Sequence, residues 1–305
     1  NFVIIATILT LGLCSLLSVY LTIQRKEFIP IDLEDKINAS LNFNNYWNYF
    51  RFALYSAPSY IITYANVYLS QQIICSKMGA YSLGIFSSAG VFSTIFSAIQ
   101  GGFSTYWSAY VYKNYRNAQG RIVRMHNYVL LSAILIFSML IVGRDIIYLV
   151  IGQDYHESKM FFSLLLLMPI LSFILETTDK GIALANKNEI SFFTTIVTVV
   201  VNIVCCVVLI DYFGIKGAAY ASALSALIRY VLNTLWGQKY YKSILNPSKS
   251  ITGIFMIVVL SVLPSAFYNF WQILIVVVLI NIITCLLFKN EYKYLFNTLL
   301  SFNIK

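Results

Sequence analysis

The sequence predicts an all-helical protein that crosses a membrane many times. Of its 305 residues, 59% are hydrophobic and 11% are charged, whereas soluble domains carry about 45–50% apolar and about 25% charged residues. The apolar residues gather into runs of about 20, the length at which a helix spans the hydrocarbon core of a bilayer. Aromatic residues make up 16% of the chain. This content supports the same prediction, because Tyr and Trp favour the headgroup region of a membrane.

Nine apolar runs are predicted as membrane-spanning helices. Pro58, Pro169 and Pro264 fall inside these runs. Neighbouring membrane helices satisfy the backbone groups that a proline frees, so we predict kinks rather than helix ends at these three positions. The nine runs cover residues 2–23, 49–75, 83–106, 128–151, 161–185, 190–211, 217–235, 251–267 and 271–288.

Basic residues predict the side of the membrane on which each loop lies, because cytoplasmic loops are rich in Lys and Arg. The segments after the first, third, fifth, seventh and ninth runs carry most of them, whereas the loops between carry only Lys77, Arg144, Lys159 and Lys216. This alternation predicts a cytoplasmic C-terminus. It also explains the net charge of +9, because the basic residues that mark the cytoplasmic loops supply it. No nucleic-acid partner is therefore expected.

The same alternation places residue 1 on the outer side of the membrane. The chain begins with Asn1 rather than Met, and no basic region precedes the first apolar run as it would in a signal peptide. We therefore expect that further helices precede this sequence in a longer protein.

The loops contain no recognisable catalytic or metal-binding motif. The acidic residues at 32–35 are more typical of a solvated linker than of a metal-dependent transferase site. The two histidines, His126 and His156, are predicted on opposite sides of the membrane and cannot share a site. The five cysteines lie in or beside apolar runs without metal-ligand or disulfide spacing. We therefore expect neither enzyme activity nor a metal or other cofactor.

Charged residues inside the predicted spans are costly and are the first candidates for function. Arg229 lies ten residues, roughly 15 Å along a helix, from Lys239, which predicts a position near the midplane. Its side chain faces a partner or a water-filled cavity there, unless it snorkels or forms a structural ion pair. Arg51, near the inner boundary, either snorkels or lines an inward-facing vestibule. Both arginines are candidates for the substrate path.

Glu176, Asp179 and Lys180 form a second charged group. Glu176 and Lys180 are four residues apart, so they share a helix face and can neutralise each other. The group is therefore either structural or a candidate for ion or proton coupling. Uncharged polar residues in the spans either make interhelical contacts, as most do, or line a path, namely Asn66, Gln71, Gln72, Gln100 and Asn202.

Arginines in a membrane cavity suit an anionic cargo, because a guanidinium group binds phosphate through two parallel hydrogen bonds. Acidic residues in the same bundle suit a coupling proton or cation. The residues alone therefore predict a transporter of an anionic compound, for example a lipid-linked phosphate.

Several segments follow the order of helices in one transporter superfamily. They include "LGIFSSA" (83–89), "FSTYWSAYVYKNY" (103–115), "GQDYHESKMFFSLLLLMPIL" (152–171) and "VNIVCCVVLIDYFGIKGAAYASALS" (201–225). In this order the sequence resembles the polysaccharide flippases of the multidrug/oligosaccharidyl-lipid/polysaccharide (MOP) exporter superfamily, in particular the O-antigen (Wzx-like) branch. Many relatives carry an Asp-Arg pair midway through the seventh helix, where this chain reads Ser70-Gln71-Gln72. A charged role at that position is therefore not expected.

The resemblance implies that the chain is the C-terminal part of a two-lobe transporter. Residues 1–23 would be the last helix of the N-terminal lobe, and residues 24–48 a cytoplasmic linker. Residues 49–238 would form the six-helix C-terminal lobe, followed at 239–305 by two additional transmembrane helices and a cytoplasmic tail.

The resemblance also implies a function in the bacterial inner membrane. The protein would flip an undecaprenyl-diphosphate-linked oligosaccharide, an O-antigen or capsule repeat unit, to the periplasmic leaflet by alternating access. Arg229 and Arg51 would attract the diphosphate or acidic sugars, and the group at 176–180 would serve coupling. Expected partners are this lipid-linked substrate, membrane lipid and other polysaccharide-assembly membrane proteins. The alternatives are a small-molecule or multidrug exporter of the same superfamily, a polysaccharide polymerase, which would be an enzyme, and a membrane scaffold.

Overall fold

The computed structural model describes residues 43–149, 151–267, 269–289 and 291–293. The regular structure in these ranges is entirely helical, as predicted, and from Phe52 onwards the chain forms one compact unit. The predicted first span and most of the predicted linker lie outside the described residues. The helices are α1 (Phe43–Asn114), α2 (Gln119–Val142), α3 (Arg144–Ile147), a 3₁₀ helix (Gln153–Met160), α4 (Phe162–Leu175), α5 (Lys180–Leu184), α6 (Asn188–Phe213), α7 (Ile215–Tyr240), α8 (Pro247–Ala266) and α9 (Phe270–Leu287).

Helix α1 is too long for one membrane crossing, and Gly79 divides it into two arms. Its 72 residues would extend about 108 Å at 1.5 Å per residue, several times the thickness of the hydrocarbon core. Gly79 has φ 84° and ψ 170°, a conformation that residues with a Cβ rarely adopt. A straight helix would separate Thr63 from Ser97 by about 51 Å, yet both line one cavity. The chain therefore reverses direction at Gly79.

The described chain is a multi-pass helical membrane protein. Five of its helices are long and apolar enough to cross a membrane, or six when the 3₁₀ helix and α4 count as one bent span. Helix α7 is long enough but less apolar, since it carries alanines, serines and Arg229. Exposed apolar residues such as Val204 on α6 and Leu279 on α9 form surfaces suited to lipid contact. The total of nine spans stays a prediction.

The three prolines lie inside helices, as predicted: Pro58 in α1, Pro169 in α4 and Pro264 in α8. The predicted span at 161–185, in contrast, is not one helix. Helix α4 ends at Leu175, and turns at residues 176–179 separate it from the short α5.

Two threonine hydroxyls bond to carbonyl oxygens near the end of α4, at this break. The Thr177 hydroxyl donates to the Ile174 carbonyl oxygen at 2.6 Å, and the Thr178 hydroxyl donates to the Leu175 carbonyl oxygen at 3.2 Å. Such side-chain bonds offer the backbone an alternative to the helical ladder. A short apolar stretch at 182–185 follows the break and extends the apolar run of α4, so the sequence pattern did not reveal the break.

Helix α4 lies at the centre of the bundle. Eleven of its 14 residues are buried, because a helix that is apolar on all faces is stable when other helices cover it on all faces. Helices α2, α7 and α8 pack against it, and α9 packs on α2 and α8. Residues at 176–179, directly after α4, are therefore held deep in the bundle.

Helices α6 and α7 correspond to the predicted runs at 190–211 and 217–235, and they form a hairpin. Gly214 makes the turn with φ 60°. A Cβ on Gly217 would overlap the backbone of Leu209 and Ile210, so the two helices approach as closely as only glycine allows. Buried alanines then continue the close packing along α7. This hairpin brings Arg229 of α7 to the same interior as α4.

Candidate functional site

Both arms of α1, together with α4, α6 and α7, enclose a cavity of about 610 Å³. This volume lies within the range of pockets that bind small ligands, about 300–1,000 Å³. Tyr64, Val67 and Val91 of α1 line the cavity and are exposed. The cavity is therefore open on the side of α1, between apolar and aromatic side chains.

Hydroxyl and amide side chains make up the polar part of the cavity wall. Arg229 is the one charged residue in the lining that the structure describes. Polar side chains within an apolar surrounding are costly unless the protein, water or a polar ligand satisfies them. The hydroxyl and amide residues are Thr63, Asn66, Ser70, Gln71, Ser87, Ser93, Thr94, Ser97, Ser172, Thr195, Thr198, Asn202, Ser222 and Ser225.

Arg229 lies near the middle of α7, about 21 Å from Ile215 and about 17 Å from Tyr240 along the helix axis. Its side chain is half-buried. It lines both the large cavity and a second cavity of about 160 Å³. No carboxylate lies within ion-pair distance of its guanidinium group in the described part of the chain. The guanidinium group therefore lines both cavities without a direct ion pair among the described residues.

The three coupling candidates lie together, and two of them, Glu176 and Asp179, line the smaller cavity. Lys180 Nζ lies 2.5 Å from Glu176 Oε2 and 3.7 Å from Asp179 Oδ1. Gln100 Nε2 donates to Glu176 Oε1 at 3.1 Å. Gln100, Glu176, Asp179 and Arg229 all line this cavity. The acidic group, formed by Glu176 and Asp179 with Lys180 as the opposite charge, thus lies beside Arg229.

The turn at 176–179 is fixed to α7 by close backbone packing. A Cβ on Gly237 would overlap the carbonyl oxygen of Thr178, and a Cβ on Gly181 would overlap the carbonyl oxygen of Gly237. Gln238 Nε2 also donates to the Thr178 carbonyl oxygen at 3.3 Å. Because α7 carries Arg229, this packing sets the distance between Arg229 and the acidic group.

His126 fixes the same turn from the opposite side. It is fully buried, with Nδ1 2.8 Å from Thr177 Oγ1 and Nε2 2.8 Å from Ser250 Oγ. Thr177 already donates its proton to Ile174, so its oxygen accepts from Nδ1–H. Nε2 and the Ser250 hydroxyl form the second bond, in which the hydroxyl can donate or accept. His126 was predicted on the inner side, and no feature of the sequence signals this contact.

Asn202 connects three helices at the cavity wall. Its Nδ2 donates to Asn66 Oδ1 at 3.0 Å and to Ser70 Oγ at 2.9 Å, both on α1, and Ser225 of α7 lies 3.5 Å from its Oδ1. Near Gly79, Lys77 joins α1 to α6 through Asp211 at 2.6 Å. These contacts hold the first arm of α1 against the α6–α7 hairpin.

Of the remaining residues named in the sequence analysis, only some line the cavity. Gln71 lines the cavity, whereas Gln72 is exposed and does not line it. Arg51 belongs to α1 by its backbone, but its side chain is outside the described part of the structure. His156 lies in the 3₁₀ helix, exposed, with Nε2 3.2 Å from the Ile151 carbonyl oxygen. It shares no site with His126, as predicted.

The chain is similar to a curated protein of Haloferax volcanii that is named as a probable low-salt glycan biosynthesis flippase, Agl15. The two are 28% identical over 218 residues, which cover 65% of this chain and 44% of that protein. The chain thus spans less than half the length of this relative. No family model and no solved structure matches the chain. The similarity supports a flippase-type membrane protein, and the narrower Wzx-like assignment rests on the sequence resemblance alone.

Proposed function

We propose that this protein is a flippase that moves a lipid-linked oligosaccharide across the membrane. The observation that carries the proposal is the cavity of about 610 Å³ with a hydroxyl- and amide-lined wall and one arginine in it. A glycan supplies many hydrogen-bonding groups for such a wall. The similarity to a protein named as a glycan biosynthesis flippase supports the same substrate class, and it is a similarity to a transporter rather than to an enzyme.

The open side of the cavity suits a cargo that remains attached to a lipid. The exposed side chains of Tyr64, Val67 and Val91 at the opening can contact hydrocarbon, while the interior contacts polar groups. A lipid-linked glycan needs both environments at once, because its polyprenyl chain stays in the bilayer while its headgroup crosses. A free polar solute would need only the interior.

Arg229 would bind the phosphate groups that link the lipid to the glycan. A guanidinium group forms two parallel, charge-assisted hydrogen bonds with a phosphate, and Arg229 has no competing carboxylate within ion-pair distance among the described residues. Glu176, Asp179 and Lys180 would carry the coupling ion or proton in the adjacent cavity. Arg51 remains a second candidate for the substrate path.

In its most specific form, the proposal follows the family resemblance. The cargo would be an undecaprenyl-diphosphate-linked repeat unit of O antigen or capsule, moved across the bacterial inner membrane to the periplasmic leaflet by alternating access of two lobes. The C-terminus would lie in the cytoplasm. The partners would include other polysaccharide-assembly membrane proteins.

Complementation tests the proposal. The full-length gene, expressed in a strain that lacks its polysaccharide flippase and carries the native glycan locus, is expected to restore surface polysaccharide. Arg229→Ala is expected to reduce the polysaccharide at least about tenfold, because a charge-assisted bond is lost. Arg229→Lys should retain part of the activity, since it keeps the charge without the bidentate geometry. Arg121→Ala, at an exposed position outside both cavities, is the matched control and should behave as wild type.

Two outcomes count against the proposal. Normal polysaccharide with a stably inserted Arg229→Ala variant would remove Arg229 from the substrate path. Absence of polysaccharide with a stably inserted wild-type protein would contradict the flippase function itself. Drug-efflux measurements on the same strain would then test the small-molecule exporter.

A further inference from the structure

We infer that His126 is a positioning residue for the acidic turn at 176–179, and that its hydrogen bond to Thr177 is required for ion or proton coupling. The inference rests on the proposed function, in which Glu176 and Asp179 serve coupling. It assigns a role to a buried histidine that lines neither of the two cavities. It follows from the contacts that the turn makes on its two sides.

The turn joins two separate parts of the bundle through adjacent residues. Thr178 faces α7, because its carbonyl oxygen lies against the backbone of Gly237. Thr177 faces α2 instead, and its Oγ1 lies 2.8 Å from His126 Nδ1. Both threonines are buried, and the two acidic residues of the turn flank them in the sequence. The orientation of both carboxylates therefore depends on how the two threonines are held.

On the α2 side, the turn is attached to a cross-linked pair of helices. His126 belongs to α2, and its Nε2 lies 2.8 Å from Ser250 Oγ of α8. Beside these residues, the Glu291 carboxylate accepts from Asn127 Nδ2 of α2 and from Lys249 Nζ of α8, each at 2.8 Å. Glu291 thus ties α2 to α8 next to the imidazole. The imidazole therefore transmits the position of this helix pair to the turn.

Loss of the bond between His126 and Thr177 would release the turn on one side, while its contacts with α7 remain. The carboxylate of Glu176 would then lose the fixed orientation in which it accepts from Gln100 Nε2 at 3.1 Å and from Lys180 Nζ at 2.5 Å. A group that exchanges a proton or a cation needs fixed neighbours, because they set the stability of its charged form. The coupling step is therefore the step that depends on the imidazole.

Flipping driven by an imposed ion gradient tests the inference. The purified full-length protein is reconstituted in liposomes with the polyprenyl-diphosphate-linked oligosaccharide extracted from cells that carry the native glycan locus. Translocation is followed by the access of an external glycosidase to the glycan, without a gradient and with a proton or a sodium gradient. At least one gradient should raise the rate of wild type.

His126→Ala should reduce this stimulation at least about threefold, because the hydrogen bond that orients the acidic turn is lost. A histidine that only stabilises the fold would lower the rates with and without the gradient by the same factor, and that result would overturn the inference. His156→Ala is the matched control, because His156 is exposed and lies outside both cavities. It should behave as wild type.

Two conservative variants separate the two bonds of the imidazole. His126→Asn places an amide N–H near the position of Nδ1 and keeps the bond to Thr177, whereas His126→Gln places its amide near Nε2 and keeps the bond to Ser250 alone. His126→Asn should retain most of the stimulation, and His126→Gln should lose it as His126→Ala does. Because an amide does not titrate, retention also shows that His126 is not the proton carrier. Loss of the stimulation in a stably inserted His126→Asn variant would overturn the inference.

Two further variants complete the test. If His126→Ala does not fold, Thr177→Val removes the accepting hydroxyl with little change of shape and should reduce the stimulation in the same way, whereas Thr177→Ser should retain it. If no gradient stimulates wild type, or if Glu176→Gln leaves the stimulation unchanged, the proposed coupling role of the acidic group fails and this inference fails with it. If Glu176→Gln abolishes the stimulation and Thr177→Val does not reduce it, the inference alone is overturned.

Discussion

Substitution of Gly237 by alanine is expected to separate α7 from the turn that carries the acidic group. An added Cβ would lie 3.0 Å from the Asp179 Cα and 3.1 Å from the Thr178 carbonyl carbon. It would also lie inside the contact distance of the Thr178 carbonyl oxygen by about 1 Å. All three neighbours are backbone atoms, so no flexible side chain can move aside. Either α7 or the turn at 176–179 must shift.

The size of the effect follows from this overlap. Overpacking that forces a backbone shift costs about 1–3 kcal/mol. Replacing a helical glycine by alanine by itself stabilises a helix by roughly 0.5–1 kcal/mol. Gly102→Ala, in the second arm of α1, is the matched control, because a Cβ there has nothing within 4 Å. The difference between the two variants cancels the helix propensity and isolates the overlap.

Thermal unfolding of the purified protein in detergent measures this difference. Gly237→Ala should unfold roughly 2–12 °C below Gly102→Ala, from about 1–3 kcal/mol at about 2–4 °C per kcal/mol. Because the shift moves Arg229 relative to Glu176, the same variant should also lower flipping in liposomes. Equal melting temperatures for the two variants would refute the proposed packing of α7 against the turn.

Three further predictions concern hydrogen bonds and charge. Asn202→Ala should lower the free energy of unfolding by about 0.6–2 kcal/mol, because it removes an interhelical amide, and a melting temperature equal to wild type would contradict the contact. Lys180→Met should destabilise by about 1–3 kcal/mol by leaving the Glu176 carboxylate uncompensated, and adding Glu176→Gln should recover part of the loss in a double-mutant cycle. Burial raises the pKa of Glu291, but hydrogen bonds and charge from Lys249 outweigh it, so the folded-state pKa is below the usual value. The contribution of the Glu291 carboxylate to the free energy of unfolding is complete above the unfolded-state pKa of about 4.3. It is lost as the pH falls through the folded-state pKa. A fall in pH should therefore lower the melting temperature of wild type more than that of Glu291→Gln. An equal fall in the two melting temperatures would refute this reasoning.

Local features of the sequence determined the class of this protein and several of its elements. Apolar runs of membrane length predict helices because the backbone must satisfy its own hydrogen bonds in lipid. The hairpin around Gly214 and Gly217 was predictable because its glycines mark a turn and a close approach. The position of Arg229 near the middle of its helix followed from residue spacing, since a helix rises by a fixed amount per residue. None of these predictions needs knowledge of neighbouring helices.

The tertiary structure alone decided which residues meet. Gln71 and Gln72 are adjacent in sequence and chemically identical, yet only Gln71 lines the cavity. Gln100 bonds Glu176 across 76 positions of the chain, and His126 bonds Thr177 across 51. In a membrane helix the faces toward lipid and toward protein are both apolar, so hydropathy does not distinguish them. The orientation of each helix is set by packing against its neighbours, and that packing brings Arg229, the acidic group and the hydroxyl-lined wall into one site.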